Sequence, residues 1–206
     1  VILFAMAGKR LISTAYLPPI EYFSLFSQAD EVFIEREENY QKQSYRNRCY
    51  ILSAHGPQIL SVPVYLGSLH KTPVKDIRID YSKRWQQVHL RAMTASYNSS
   101  PYFEFYFENI EKIILKNFSF LLDLNMELTE SVLEMLKLKI KISYTATFQP
   151  VGETENDFRY KITPKEESQY TVKKYFHVFD NNNKLVQGLS ILDLIFNMGP
   201  ESVNYL

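Results

Sequence analysis

Between Leu11 and Glu35 the apolar pattern changes period twice. Leu11 to Tyr16 reads as a short strand, and Pro18-Pro19 opens a helix, because proline is tolerated in a first helical turn. Ile20, Tyr22, Phe23 and Phe26 then recur at three- and four-residue spacing. The helix stops before Asp30, and Glu31 to Glu35 is the next strand. Strand, tight loop, helix and strand within 25 residues make a βαβ unit. Ligands of such units sit beyond the carboxyl ends of the strands, which places 16–19 and 35–39 together at one rim.

Two further strand-like runs, Arg46 to Ala54 and Gln58 to Tyr65, flank His55-Gly56-Pro57 and predict a hairpin. Leu66 to Thr72 is polar and irregular, and Val74 to Asp80 alternates with Ile77 and Ile79 on one side. Ser82 is the expected N-cap of a helix from Lys83 to about Tyr97. Ser100-Pro101 starts a second helix, 101–115, and a third runs from about Phe118 to Leu138. Ile142 to Phe148 and Tyr175 to Phe179 read as strands, with 149–174 between them as a long loop or lid. A turn is expected at Asn181-Asn182-Asn183. Ser190-Ile191-Leu192-Asp193 reads as a capping box for a last helix, which Gly199-Pro200 ends; Asp193 is then a cap. The expected architecture is one α/β domain in which the βαβ unit and the hairpin form a mixed sheet covered by several helices. A length of 206 residues suits one such domain, taken as 11–206. Residues 1–10 read as an extra leader: Val1 to Ala7 is too short to span a bilayer, and its cations follow the apolar run instead of preceding it.

Lysine and arginine balance aspartate and glutamate at 23 each, which argues against a nucleic-acid partner. The single cysteine, Cys49, excludes an internal disulfide and fits a reducing cytoplasm. No other run approaches the length of a membrane span, and His55, His70, His89 and His177 show no metal-ligand spacing. No glycine-rich phosphate loop or nucleophile elbow is present.

The densest functional wording is Asn39 to Arg48, with Lys42, Arg46 and Arg48 among amides, a hydroxyl and two tyrosines. Were the stretch extended, Lys42, Ser44, Arg46 and Arg48 would share one face and could hold an anion; the alternative is a solvated, charged edge strand. His89 follows Trp85 by four residues on the first long helix and reads either as a core histidine or as a proton carrier. Asn125 interrupts an apolar stripe and needs a hydrogen-bond partner, from the fold or from a ligand.

Ala15-Tyr16-Leu17-Pro18-Pro19-Ile20-Glu21-Tyr22-Phe23 resembles the opening of the WbqC-like family of bacterial proteins. So do 30–34, Tyr40 to Arg48, Gly56-Pro57-Gln58, 59–63, 85–89, 96–103, 123–128 and Leu189 to Pro200, while 143–174 matches least. One departure is Thr14-Ala15-Tyr16, where many members have Gln before the aromatic residue. The resemblance implies a cytoplasmic protein of surface-polysaccharide, notably O-antigen, biosynthesis, for which glycine transfer is the suggested activity. On that reading, a small acyl or aminoacyl group moves to an amino sugar carried on a nucleotide or lipid phosphate. Lys42, Arg46 and Arg48 neutralise phosphate or carboxylate oxygens, His89 takes the amine proton, and Tyr16, Tyr40, Asn47 and Asn125 contact the ligand. ATP or a nucleotide-sugar is the expected cofactor or substrate, and no metal is implied. The competing expectation is a non-catalytic module that binds glycans or nucleotide-sugars through its tyrosines. The first reading requires Lys42, Arg48 and His89 to converge on one hollow.

Overall fold

The computed structural model describes residues 8–65, 71–151, 156–166, 168, 170–179 and 186–206. The leading βαβ unit is present: β1 (Lys9–Ser13), α1 (Ile20–Ser27) and β2 (Glu31–Glu35), with β1 and β2 parallel and Leu11 opposite Phe33. β5 (Lys141–Tyr144) pairs in parallel with the other edge of β2, setting Phe33 opposite Ser143. The order β1-β2-β5 makes β2 the central strand, and all five of its residues are buried. Its apolar centre, Val32-Phe33-Ile34, fits burial on both faces. Its terminal acids are each held: Glu31 by Lys141 at 2.7 Å, and Glu35 by Thr145 at 2.6 Å. β1 starts at Lys9, inside the stretch expected to be a leader.

The hairpin is also present, as β3 (Arg48–Ser53) and β4 (Gly56–Ser61), antiparallel with Cys49 opposite Leu60. Gly56 takes φ +101° at the turn, where a side chain would be strained. These strands pair with each other, so the α/β fold carries a parallel sheet and a separate antiparallel hairpin.

Helices α2 (Trp85–Tyr97), α3 (Phe103–Ile114), α4 (Leu121–Met135) and α5 (Ile191–Met198) complete the layer begun by α1. Helix α2 begins two residues later than expected, because Ser82 does not cap it; the Ser82 amide instead donates to Asp80 in a turn ahead of the helix. Helices α3 and α4 are likewise shorter than the expected 101–115 and 118–138. Val74–Asp76 is a 3₁₀ turn, not a strand, although Ile77 and Ile79 are both buried as their alternation implied. The expected strand at 175–179 is absent, because this segment is anchored by side chains: Tyr175 donates to Asp193 on α5 at 2.7 Å. The turn expected at 181–183 lies outside the described residues, as does most of the irregular stretch 66–72. Among the described residues, no helix is long and apolar enough to cross a membrane.

Candidate functional site at the rim of the parallel sheet

The cationic stretch 39–48 is not extended. Gln43 has φ +57° and the chain folds through successive turns, so the alternating row does not form. Lys42 is exposed, whereas Arg46 is 4 % exposed and paired with Glu38. Arg46 Nε and Nη2 donate to the two Glu38 oxygens at 2.9 and 2.7 Å, and Nη2 also donates to the Ser13 hydroxyl at 2.7 Å. This cation of the row therefore already has an internal anion, and it ties 39–48 to the end of β1.

Several of the other sequence candidates pack into the interior as well. The Tyr16 hydroxyl meets His89 Nδ1 at 2.9 Å, and both side chains are buried. Trp85 packs edge-on to the His89 ring at 5.1 Å, and burial pushes the imidazole down to about 4, which favours the neutral ring. This histidine packs in the core, and neither it nor Lys42 nor Arg48 lines the cavities described below. Asn47 Nδ2 donates to the Val62 carbonyl at 2.8 Å. Asn125 Nδ2 donates to the Arg46 carbonyl at 2.8 Å and to Thr14 Oγ1 at 3.1 Å, so the amide predicted to need partners fixes the loop. Tyr40 is buried, which raises its hydroxyl to about 12; Arg48 is half-buried at the start of β3. Cys49 is buried, and its thiol is pushed upward by desolvation, as expected for a packed small side chain.

The rim itself forms where it was anticipated, at the carboxyl ends of β1 and β2. Residues 156–158 run parallel along the edge of β1, with the Leu11 amide donating to the Asn156 carbonyl at 2.9 Å and the Phe158 amide to the Leu11 carbonyl at 2.8 Å, and at the rim Ser13 Oγ donates to the Arg159 carbonyl at 3.0 Å. Arg159 grips Asp157 at 2.9 and 2.6 Å, reaches Glu35 at 3.3 Å, and donates to the Gln149 carbonyl at 2.7 Å. Tyr160 sits between the two guanidiniums, 5.7 Å from Arg46 and 5.9 Å from Arg159. The part of the chain read as a lid is thus bolted down at its centre by buried ion pairs.

Beside this bolt lies a cleft of two lobes, about 440 and 320 Å³, the size range of small-molecule sites. Both lobes are bounded by Glu21, Glu166 and Ser168. Glu21 stands in the first turn of α1 and is 5 % exposed. Its carboxyl is hydrogen-bonded by Ser168 and by its own amide, and Oε2 is buried with no partner among the described residues. Desolvation raises its pKa above the usual carboxylate range. The turn that presents it is strained: Leu17 has φ +42°, a conformation bulky residues avoid, and Pro18-Pro19 follow. A larger hollow of about 590 Å³ lies between α3 and α4, but its walls carry exposed Glu and Lys side chains and no buried carboxylate.

Sequence reasoning passed over Glu21, which read only as part of a helix opening. The available signal was a carboxylate between Ile20 and Tyr22, the one charged side chain of a short helix. Asp193 was also misassigned. Ser190 Oγ does cap α5, accepting from the Leu192 amide at 3.3 Å, but the Asp193 carboxylate instead accepts from Tyr97 at 2.9 Å and Tyr175 at 2.7 Å. It also lies 2.8 Å from His177 Nδ1. The reason is burial: at 1 % exposure the carboxylate needs donors from other elements.

Of the segments that carry the family resemblance, 15–23 supplies Glu21 and 40–48 supplies Tyr45 to the cleft, whereas much of its lining, between 158 and 170, comes from the stretch that matches least. Asn125, from 123–128, ties Thr14 to the Arg46 carbonyl beside it. The chain is similar to the uncharacterised protein Rv1507c of Mycobacterium tuberculosis, 23 % identical over 230 aligned residues that cover 98 % of each chain. No solved structure matches. The family model of the WbqC-like proteins matches residues 14–175, from the loop after β1 through Asn125 and the rim segment to Tyr175, and the chain belongs to the WbqC-like protein family.

Proposed function

We propose that this WbqC-like protein is a cytoplasmic enzyme of surface-glycan, O-antigen biosynthesis that transfers glycine or another small acyl or aminoacyl group to an amino sugar. The observation that carries this reading is the unpartnered Oε2 of Glu21 in a cleft of ligand size. An amine attacks only through a free lone pair, so its proton must leave, and a buried carboxylate with a raised pKa is suited to accept it. The amine nitrogen bonds to the carbonyl carbon of an activated donor. The bond from that carbon to its leaving group breaks, and the amine proton passes to Glu21. ATP would supply the activation, and a nucleotide-sugar is the natural acceptor. Glu21 takes the part expected of His89, which lines neither lobe of the cleft.

The test is to incubate the purified protein with amino-sugar nucleotides, glycine and ATP and to follow the acceptor by mass spectrometry. A mass gain lost in Glu21→Gln supports transfer. Retained activity in Glu21→Gln refutes the role of this carboxyl. A second reading, a binding module that leaves its ligand unchanged, draws on the tyrosines Tyr45, Tyr50, Tyr160 and Tyr170 around the cleft. Tight binding without any mass change is its signature.

A further inference from the structure

The two lobes that meet at Glu21 differ in chemistry. The larger is walled by Leu25, Ile162 and the rings of Phe158, Tyr160 and Tyr170. Its cation, Lys161, stands 4.6 Å from the centre of the Phe158 ring. Apolar walls with one cation, set over the face of a wall ring, match a heterocycle joined to an anion. The smaller lobe is lined by Tyr45, Tyr50, Thr163, Lys165 and Gln187, with Gly188 at its edge. Hydroxyls and an amide dominate, which matches a polyhydroxylated guest. Gly188 is required for this shape: it has φ +72°, and a Cβ there would lie 2.7 Å from the Tyr45 hydroxyl. Glu21 and Glu166 border both lobes, so the junction favours a positive charge.

We infer that the cleft is a two-part site: the ring-lined lobe holds the base and phosphate of a nucleotide, the polar lobe holds an amino sugar, and the sugar's ammonium faces Glu21. This rests on reading the Glu21 cleft as a binding site and is independent of whether any group is transferred.

The test is calorimetric titration of the full chain with uridine 5′-monophosphate, glucosamine, N-acetylglucosamine and inorganic phosphate, with turnover not measured. The two principal probes are expected to bind together, neither displacing the other. Lys161→Glu should weaken the nucleotide about tenfold or more and leave glucosamine unchanged, since a charge-assisted hydrogen bond is worth that much. Gln187→Ala should do the reverse. Glu21→Gln should weaken glucosamine about tenfold and leave N-acetylglucosamine, which has no ammonium, as it was. All three side chains can be changed without emptying the core, and far-ultraviolet circular dichroism checks their folding. Mutual displacement of the two probes, insensitivity to the change in the matching lobe, binding of phosphate as tight as that of the nucleotide, or no binding of either principal probe overturns the assignment. A failed transfer assay with these binding results intact would remove the enzyme reading alone.

Discussion

Arg46 and Glu38 form a forked ion pair, two parallel contacts of 2.9 and 2.7 Å, with both side chains withdrawn from water. The pair joins the loop after β2 to the family-like stretch 40–48, and Ser13 adds the end of β1. Its energetic weight lies in its completeness, because a buried charge without its partner is far costlier than either a pair or none.

Arg46→Ala is therefore expected to destabilise the protein by about 3–5 kcal/mol, and Arg46→Met with Glu38→Leu by considerably less. Urea denaturation of the two variants measures the difference. Equal losses in both would show that the pair acts only through packing. Lys42→Ala, from the same stretch but exposed, should stay within about 0.5 kcal/mol of the parent.

His89 gives the protein a specific acid sensitivity. Its ordinary value of 6.5 falls to about 4 in the fold, so between these values the unfolded chain takes up a proton that the folded one refuses. Stability from this group is complete above 6.5 and is lost as pH falls toward 4, with an upper limit of about 3 kcal/mol. Denaturation midpoints measured across that range should flatten in His89→Phe. An unchanged slope would mean that other groups set the acid limb.

Glu21 works in the opposite sense. Its raised pKa means that the folded state holds a proton the unfolded chain has already released, so stability falls as pH rises from the unfolded carboxylate value through the folded one. At pH 7, Glu21→Gln should raise stability by on the order of 1 kcal/mol, because it removes the cost of a buried negative charge. Thermal melts at pH 4 and pH 7 test this, with the gain expected only at the higher pH. A variant that is less stable at pH 7 would make the carboxyl a structural asset.

Tyr175 secures the strap 170–177 to α5 through Asp193. Tyr175→Phe should cost about 1–2 kcal/mol and loosen that strap locally, read as faster amide exchange at 172–177 with the β1–β2 amides unaffected. Uniform acceleration across the molecule would contradict a local role.

The βαβ unit, the hairpin and the principal helices were legible because each is written in local periodicity and in Pro, Gly and Ser punctuation. The position of the rim followed from the same unit. Its chemistry did not, since the alternation rule assumed extended backbone at 39–48 and Gln43 breaks it. Arg46 looked available because its partner, Glu38, lies eight residues earlier on a different turn. Glu21 and Asp193 were hidden for a related reason. Their significance depends on which donors reach them from residues such as Ser168 and Tyr97, and no spacing within one segment reveals that.

The central position of β2 also has a temporal consequence. Its second neighbour, β5, begins at Lys141, more than a hundred residues after β2 ends, and Glu35 waits still longer for Arg159. As the chain leaves the ribosome, the first two strands can pair at once, but an open, apolar strand edge persists until most of the polypeptide has emerged. Truncations ending before 141 should consequently aggregate or recruit chaperones, and pairing of β5 with β2 should be among the late steps of folding.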